Sequence, residues 1–228
     1  MILVAAPLIG DGYVVFSVAY RLFGPGDRAK NIYPAQLDDC QRAVRWVRAH
    51  ADQYGVDPQR IGAIGASAGG HLVALLGTCE TRDNSDPELA TYSSRVQAVV
   101  DIFGPTDLTR DFSHLKLGLI TVQTLVDDFL GPGGKGNARA ASPLFQIDKN
   151  TVPFLIIHGD KDPIVPVEQS RDFHAALVKA GKDSTYIELP GEGHGFGQPG
   201  NLQKILGATR EFFAKHLKDA DKIGEGRP

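Results

Sequence analysis

The sequence lacks most of the features that would assign it to a specialised class. Only two of its 228 residues are cysteine, Cys40 and Cys79, and neither has metal-ligand spacing. A disulfide-stapled scaffold and a cysteine-based metal site are therefore not expected. Both residues read as buried thiols. No apolar run reaches the roughly 18 residues of a membrane span. The apolar start MILVAAPLIGDGYVV has no basic stretch before it, so it does not read as a secretory leader. A soluble protein of a reducing compartment, the cytoplasm, is the expectation. Charge of one sign is also missing: 24 Lys and Arg stand against 27 Asp and Glu, a formal net charge of −3. This disfavours a nucleic-acid groove or a polybasic membrane face. No repeat period is visible. Gly131–Gly136 does not follow the P-loop pattern, and Gly62–Gly70 does not fit G-x-G-x-x-G. No His and carboxylate cluster has metal spacing, so no metal is expected.

What is present is an ordinary globular composition, 42% apolar and 22% charged, on a chain long enough to bury a core without staples. Short β-branched runs alternate with helical periodicity. Residues 13–19, 61–65, 97–103, 153–158 and 184–189 read as buried strands. Leu37, Cys40, Val44 and Val47 recur at helical spacing after Pro34, with Arg42, Arg45 and Arg48 mostly on other faces. Further helices are predicted over roughly 68–78 and 167–180, the latter closed by Gly181, and around Leu202–Phe213. Residues 21–33 read as a loop. Alternation of this kind predicts an α/β fold, a mostly parallel sheet with helices on both faces, in one domain spanning 1–228. The stretch 105–150 breaks the alternation. It reads as an insert over the carboxyl edge of the sheet, helical around Leu119–Leu130. The tail 219–228 reads as frayed.

The strongest signal is Gly65-Ala66-Ser67-Ala68-Gly69, a G-x-S-x-G placed between a strand and a helix. Such a turn holds its serine in a strained conformation. The flanking glycines let backbone approach without a Cβ clash. The helix start aims the Ala68 amide at a developing oxyanion. The plainer alternative is a tight turn with Ser67 as an N-cap. A serine nucleophile needs a base and an orienting acid. Of seven histidines, His194 alone sits in a glycine-rich loop after a strand, Gly191–Phe196. His158 ends an apolar strand and reads as a buried hydrogen-bonding residue. His71 reads as lining the floor of the site. The acid is expected after the 153–158 strand, where Asp162 is preferred over Asp160, which suits the turn. The order Ser67, Asp162, His194 is that of α/β hydrolases.

Taken together, these motifs resemble the α/β-hydrolase superfamily, and within it the bacterial esterase/lipase branch of acetylesterase-like and feruloyl-esterase-like proteins, related to the hormone-sensitive lipase group. Tyr20-Arg21-Leu22, Pro34–Asp39, Arg45–Arg48, Gly65–Leu72, Phe103–Leu108, His158–Pro166 and Gly191–Phe196 carry the resemblance. It implies hydrolysis of small carboxylic esters without a cofactor, with Ser67 as nucleophile, Asp162 as acid and His194 as base. Amide or peptide hydrolysis and a catalytically impaired fragment or binding protein are the competing readings.

One departure stands out. Members of this branch carry a His-Gly-Gly oxyanion motif upstream of the strand that matches 13–19. Residues 1–11 contain none and look like the end of the helix that normally follows that loop. The family's third strand, between those matching 13–19 and 61–65, is then unaccounted for. Unpaired buried backbone groups cost about 1–3 kcal/mol each, so three arrangements are open. In the first, Met1 is internal to a longer protein. In the second, residues 2–6 form an antiparallel strand in the gap. In the third, the sheet closes up, or borrows a strand in a homo-oligomer.

Overall fold

The computed structural model describes residues 2–23, 30–79, 86–132 and 134–218. The centre of the 21–33 loop and the tail 219–228 lie outside the described residues. Helices and strands run in the order α1 (Ile2–Ala5), a 3₁₀ helix (Ala6–Asp11), α2 (Ala35–Ala49), α3 (Ala51–Tyr54), β1 (Gly62–Ala66), α4 (Ala68–Thr78) and β2 (Ala98–Ile102). There follow β3 (Lys116–Leu117), β4 (Ile120–Thr121), α5 (Val122–Leu130), α6 (Gly134–Ala138) and a 3₁₀ turn (Pro143–Phe145). The chain continues through β5 (Phe154–Gly159), α7 (Glu168–Lys179), β6 (Ser184–Leu189) and α8 (Asn201–Phe213), which passes into a short π-helix (Ala214–Lys218).

The main sheet has the order β1-β2-β5-β6 and is parallel throughout. Successive side chains of a strand point to opposite faces, and both faces are covered. Val99, Phe154 and Ile156 pack with Leu37, Leu75 and Phe173 from α2, α4 and α7. Ala98, Val100, Ile102, Leu155 and Ile157 pack with Val4, Leu8, Ile205 and Phe213 from the N-terminal turns and α8. The central strands are therefore apolar on both sides, which is why they read as unbroken runs rather than alternations. Gly181, at φ +70°, follows α7 as expected of a C′ glycine.

Residues 13–19 are not a buried strand. They are extended but enter no ladder, and Val14, Val15 and Val18 are exposed. Composition favours a strand here, but a strand needs a neighbouring strand to pair with, and no ladder reaches this segment among the described residues. It is held by ring contacts and by single backbone bonds, the first from the Tyr13 N–H to the Leu8 carbonyl at 3.2 Å. Tyr13 meets Phe213, Phe16 meets Trp46 and Tyr54, and the Arg21 backbone N–H donates to Asp39 at 2.8 Å. Residues 2–6 do not fill the gap as an antiparallel strand either. They are helical, in keeping with the reading of residues 1–11 as a helix end. Among the described residues β1 is paired on one side only, so the sheet does not close up over it.

Two smaller expectations are corrected. Arg45 is buried on the inner side of α2 rather than on its outer face. Helix α5 begins at Val122, not at Leu119. Thr121 caps it by accepting the Thr124 N–H at 3.1 Å, and the residues before it form the β3–β4 hairpin. The segment then folds back on α4. Phe129 lies edge-on to His71, and the His71 Nε2–H donates to the Ala141 carbonyl at 2.7 Å. Cys40 is buried, and burial pushes its thiol up to about 12; Cys79 is half-buried.

The contrast between the ladder and the 13–19 segment is testable by chemical denaturation. Ile156→Ala, in the centre of the sheet, should lose about 2–5 kcal/mol of unfolding free energy. Val15→Ser should change it by no more than about 0.5 kcal/mol. Equal losses at the two positions would mean that 13–19 is paired in solution.

Candidate active site

Ser67 sits at φ 53°, ψ −122°, between β1 and α4. This region disfavours any side chain, and the structure holds the residue there by crowding. The Ser67 N–H donates to the Ile102 carbonyl at 3.0 Å, and its carbonyl accepts the His71 N–H at 3.0 Å. Its side chain makes no capping bond, so the N-cap reading does not describe it. A Cβ at Gly65 would lie 2.1 Å from the Gly69 carbonyl oxygen, and one at Gly70 would lie 2.4 Å from Asp101 Oδ1 and 2.8 Å from Gly104 Cα. Gly69, by contrast, has open space around it. The close approach thus needs Gly65 and Gly70. Ala68 opens α4, so its amide has no carbonyl of its own helix to donate to.

His194 and Asp162 converge on this turn. His194 Nε2 is 2.8 Å from Ser67 Oγ, and His194 Nδ1 is 2.6 Å from Asp162 Oδ2. Asp162 Oδ1 accepts the N–H groups of Ile164 and Val165 at 2.8 and 2.9 Å. Burial pushes this carboxyl up, but the imidazoles of His158 and His194 and the two backbone donors outweigh it and hold it well below the usual carboxylate range. Asp160 does not reach His194. It accepts the Gly191 N–H at 2.6 Å, tying the two loops together at the turn. The His71 ring is buried against Phe129 and the Ala141 carbonyl and makes no bond to the Ser67 side chain. A cavity of about 400 Å³, lined by Tyr33, Cys79, Phe145 and Asp148 among others, lies at the far end of α4, away from Ser67.

Three supporting residues escaped the sequence reading. Glu192 is buried and organises the histidine loop. Its carboxylate accepts the N–H groups of Gly197 and Gln198 and the Asn201 side-chain amide, while its carbonyl accepts the Lys161 N–H of the acid loop. Phe103, at φ 45°, places its ring 4.5 Å from that of His194. Asp101, fully buried under the turn, accepts the Gly104 N–H at 2.9 Å through Oδ1, and its Oδ2 has no hydrogen-bond partner among the described residues. The Glu within Gly191–Gly195 was a readable signal. The other two depend on what β2 faces once folded.

The family follows from comparison. A family profile described as BD-FAE matches residues 1–177. The chain belongs to the BD-FAE family. Its matched part carries Ser67 and Asp162, while His194 lies beyond it. The chain is 35% identical over 201 residues to Esterase LipC of Mycobacterium tuberculosis, covering 85% of this chain and 47% of LipC. It spans less than half the length of that curated relative. A truncated form of a carbohydrate esterase from gut microbiota superposes with a TM-score of 0.76 at 30% identity, covering 94% of this chain and 78% of that one. Thermogutta terrifontis esterase 2 phosphoramylated by tabun gives 0.68 at 33% identity, covering 86% and 69%. The α/β-hydrolase architecture of this BD-FAE member therefore agrees with its esterase neighbours. No helix among its described residues is long and apolar enough to cross a membrane.

Two measurements probe this site as a structure. Gly65→Ala should destabilise the protein by about 1–3 kcal/mol or more, whereas Gly69→Ala should be tolerated in a thermal melt. Two buried groups also pull the pH dependence in opposite directions. Burial lowers His71 to about 4, against a small opposing effect of the Ala141 carbonyl. The unfolded chain therefore takes up a proton that the folded one refuses, and His71 costs stability as pH falls from 6.5 towards 4. Burial raises Asp101 to about 6, partly offset by the Gly104 N–H and by His158. The folded chain keeps that proton longer, so Asp101 costs stability as pH rises from 3.8 through 6. Relative to wild type, Asp101→Asn should make Tm rise more steeply between pH 4 and 6.5, and His71→Gln less steeply. Slopes changed in the reverse sense would refute both assignments.

Proposed function

We propose that this chain hydrolyses small carboxylic esters through an acyl-enzyme on Ser67. The observation that carries the reading is the unbroken chain Ser67 Oγ, His194 and Asp162, with contacts of 2.8 and 2.6 Å. In the first step His194 Nε2 takes the Ser67 hydroxyl proton as Oγ bonds to the ester carbonyl carbon. The negative charge moves to the carbonyl oxygen, and the Ala68 amide at the start of α4 stabilises it. Collapse of this intermediate breaks the ester C–O bond, and His194 delivers the proton to the departing alcohol. Water then attacks the acyl-enzyme with His194 as base, releasing the acid and regenerating Ser67. Asp162 stays ionised and holds the imidazole with its Nδ1–H inward. Burial among four donors suits it to that role.

The esterase names of the relatives support ester substrates, and the neighbour modified by tabun supports a serine that organophosphates can reach. The helix-and-insert wall formed by α5 and Phe129 beside α4 is the surface we assign to acyl or alcohol selection. Incubation with paraoxon should add one diethylphosphoryl group to the folded protein, on Ser67, and abolish cleavage of p-nitrophenyl acetate. Ser67→Ala should prevent the label and remove activity, and Asp162→Asn should lower kcat by about 10⁴-fold, as loss of the triad acid does elsewhere. Cleavage of p-nitroacetanilide at a comparable rate would point to amide chemistry instead. A folded wild type that neither cleaves the ester nor takes the label would overturn the proposal.

A further inference from the structure

We infer that His158 is a positioning residue for the catalytic acid: its ring faces the same Asp162 oxygen as His194 and sets how strongly that carboxylate draws on the His194 proton. The inference rests on the hydrolase reading above and extends it by one residue.

His158 lies at the end of β5 and is completely buried. Both ring nitrogens are engaged. Nε2 is 2.9 Å from the Val165 carbonyl oxygen, and Nδ1 is 2.7 Å from Ser170 Oγ on α7. A carbonyl only accepts, so in the neutral ring the hydrogen sits on Nε2. Nδ1 is then the acceptor and Ser170 the donor. The same Nε2–H faces Asp162 Oδ2 at 3.2 Å. That is the oxygen that receives the His194 Nδ1–H at 2.6 Å. Two imidazoles thus share one carboxylate oxygen, and only one of them reaches the serine.

The consequence is electrostatic as well as steric. A carboxylate oxygen that already faces one N–H is a weaker acceptor for a second. His158 therefore limits how far Asp162 stabilises a proton on His194, while its ring blocks rotation of the carboxyl group. Phe103 braces the arrangement, with its ring 4.5 Å from His194 and 6.3 Å from His158. The charged groups acting on His158 from packed elements are Asp162 on the adjoining loop, Asp101 on β2 and Glu188 on β6. Glu188 is itself paired with Arg171 of α7 at 2.7 Å. None of these partners is altered in the variants below.

The experiment compares full-length wild type, His158→Leu and His158→Gln with p-nitrophenyl acetate across pH, after a thermal melt. Gln keeps an N–H donor near the Nε2 position; Leu removes it. His158→Leu should lower kcat about 10- to 100-fold with little change in KM, and move the acid limb of kcat/KM to higher pH. His158→Gln should bring the limb back towards wild type. An unmoved limb in folded His158→Leu, or Gln behaving as Leu does, overturns the proposal. Should the Leu variant fail to fold, ¹⁵N chemical shifts of the wild-type histidines decide. The neutral His158 ring must carry its proton on Nε2, and a proton on Nδ1 overturns the proposal. Wild type that takes the paraoxon label but shows either negative result sinks this inference alone. Wild type without label or activity sinks the hydrolase reading beneath it.

Discussion

A desolvated carboxylate is stable as an ion only when nearly every lone pair has a donor, and Asp162 meets that condition. Its Oδ1 takes two backbone N–H groups from its own loop, and its Oδ2 faces the imidazoles of His194 and His158. The loop geometry after β5 follows from this demand. Pro163 follows Asp162, and the Ile164 and Val165 amides beyond it point back to the carboxylate. The loop that carries His194 is drawn to the same place, with the Glu192 carbonyl accepting the Lys161 N–H. The Asp162–His194 contact thus adds to the Asp160–Gly191 and Lys161–Glu192 bonds in holding the two loops together at the carboxyl edge of the sheet.

The serine depends on a different constraint, the contact of backbone with backbone. Gly65, Gly70 and Gly104 let β1, α4 and the end of β2 approach more closely than side chains allow. That approach keeps Ser67 at a positive φ, where isolated chains rarely go, and the surrounding ladder offsets the strain. Asp101 sits beneath this junction with one oxygen lacking a hydrogen-bond partner among the described residues, so the floor of the turn is itself a place of unfavourable burial. Strain and poor solvation are concentrated within one turn of the residue to which we assign the chemistry. The lower parts of β2 and β5, Ala98–Val100 and Phe154–Ile157, are apolar and regular.

The segment 13–19 shows what happens when a strand-forming sequence has no neighbouring strand among the described residues. Residues 13–19 have β-branched and aromatic residues in plenty, yet among the described residues no ladder reaches them, and they lie extended and half-exposed against α2 and α8. β-propensity describes how well a residue suits a pleated, partly buried surface. It does not supply the hydrogen-bonding partner. The misreading of this segment as a buried strand therefore has a physical origin, and so does the reading of strands over 97–103, 153–158 and 184–189, which pair in the sheet as Ala98–Ile102, Phe154–Gly159 and Ser184–Leu189.

Local chemistry determined much of this protein. The strand–turn–helix around Ser67, the parallel α/β alternation and the preference for Asp162 over Asp160 all follow from glycine placement, periodicity and the proline after Asp162. These act over a few residues and leave their mark in the order of the chain. Tertiary structure decided the remainder. Gly70 rather than Gly69 is the glycine the turn needs, Arg45 goes inward, and Asp101, Phe103, His158 and Glu192 gather behind the Ser67–His194–Asp162 line. Each of these depends on which side chain or backbone atom stands opposite, and residues 31 to 127 positions apart meet there. Spacing along the chain carries no record of distances across it.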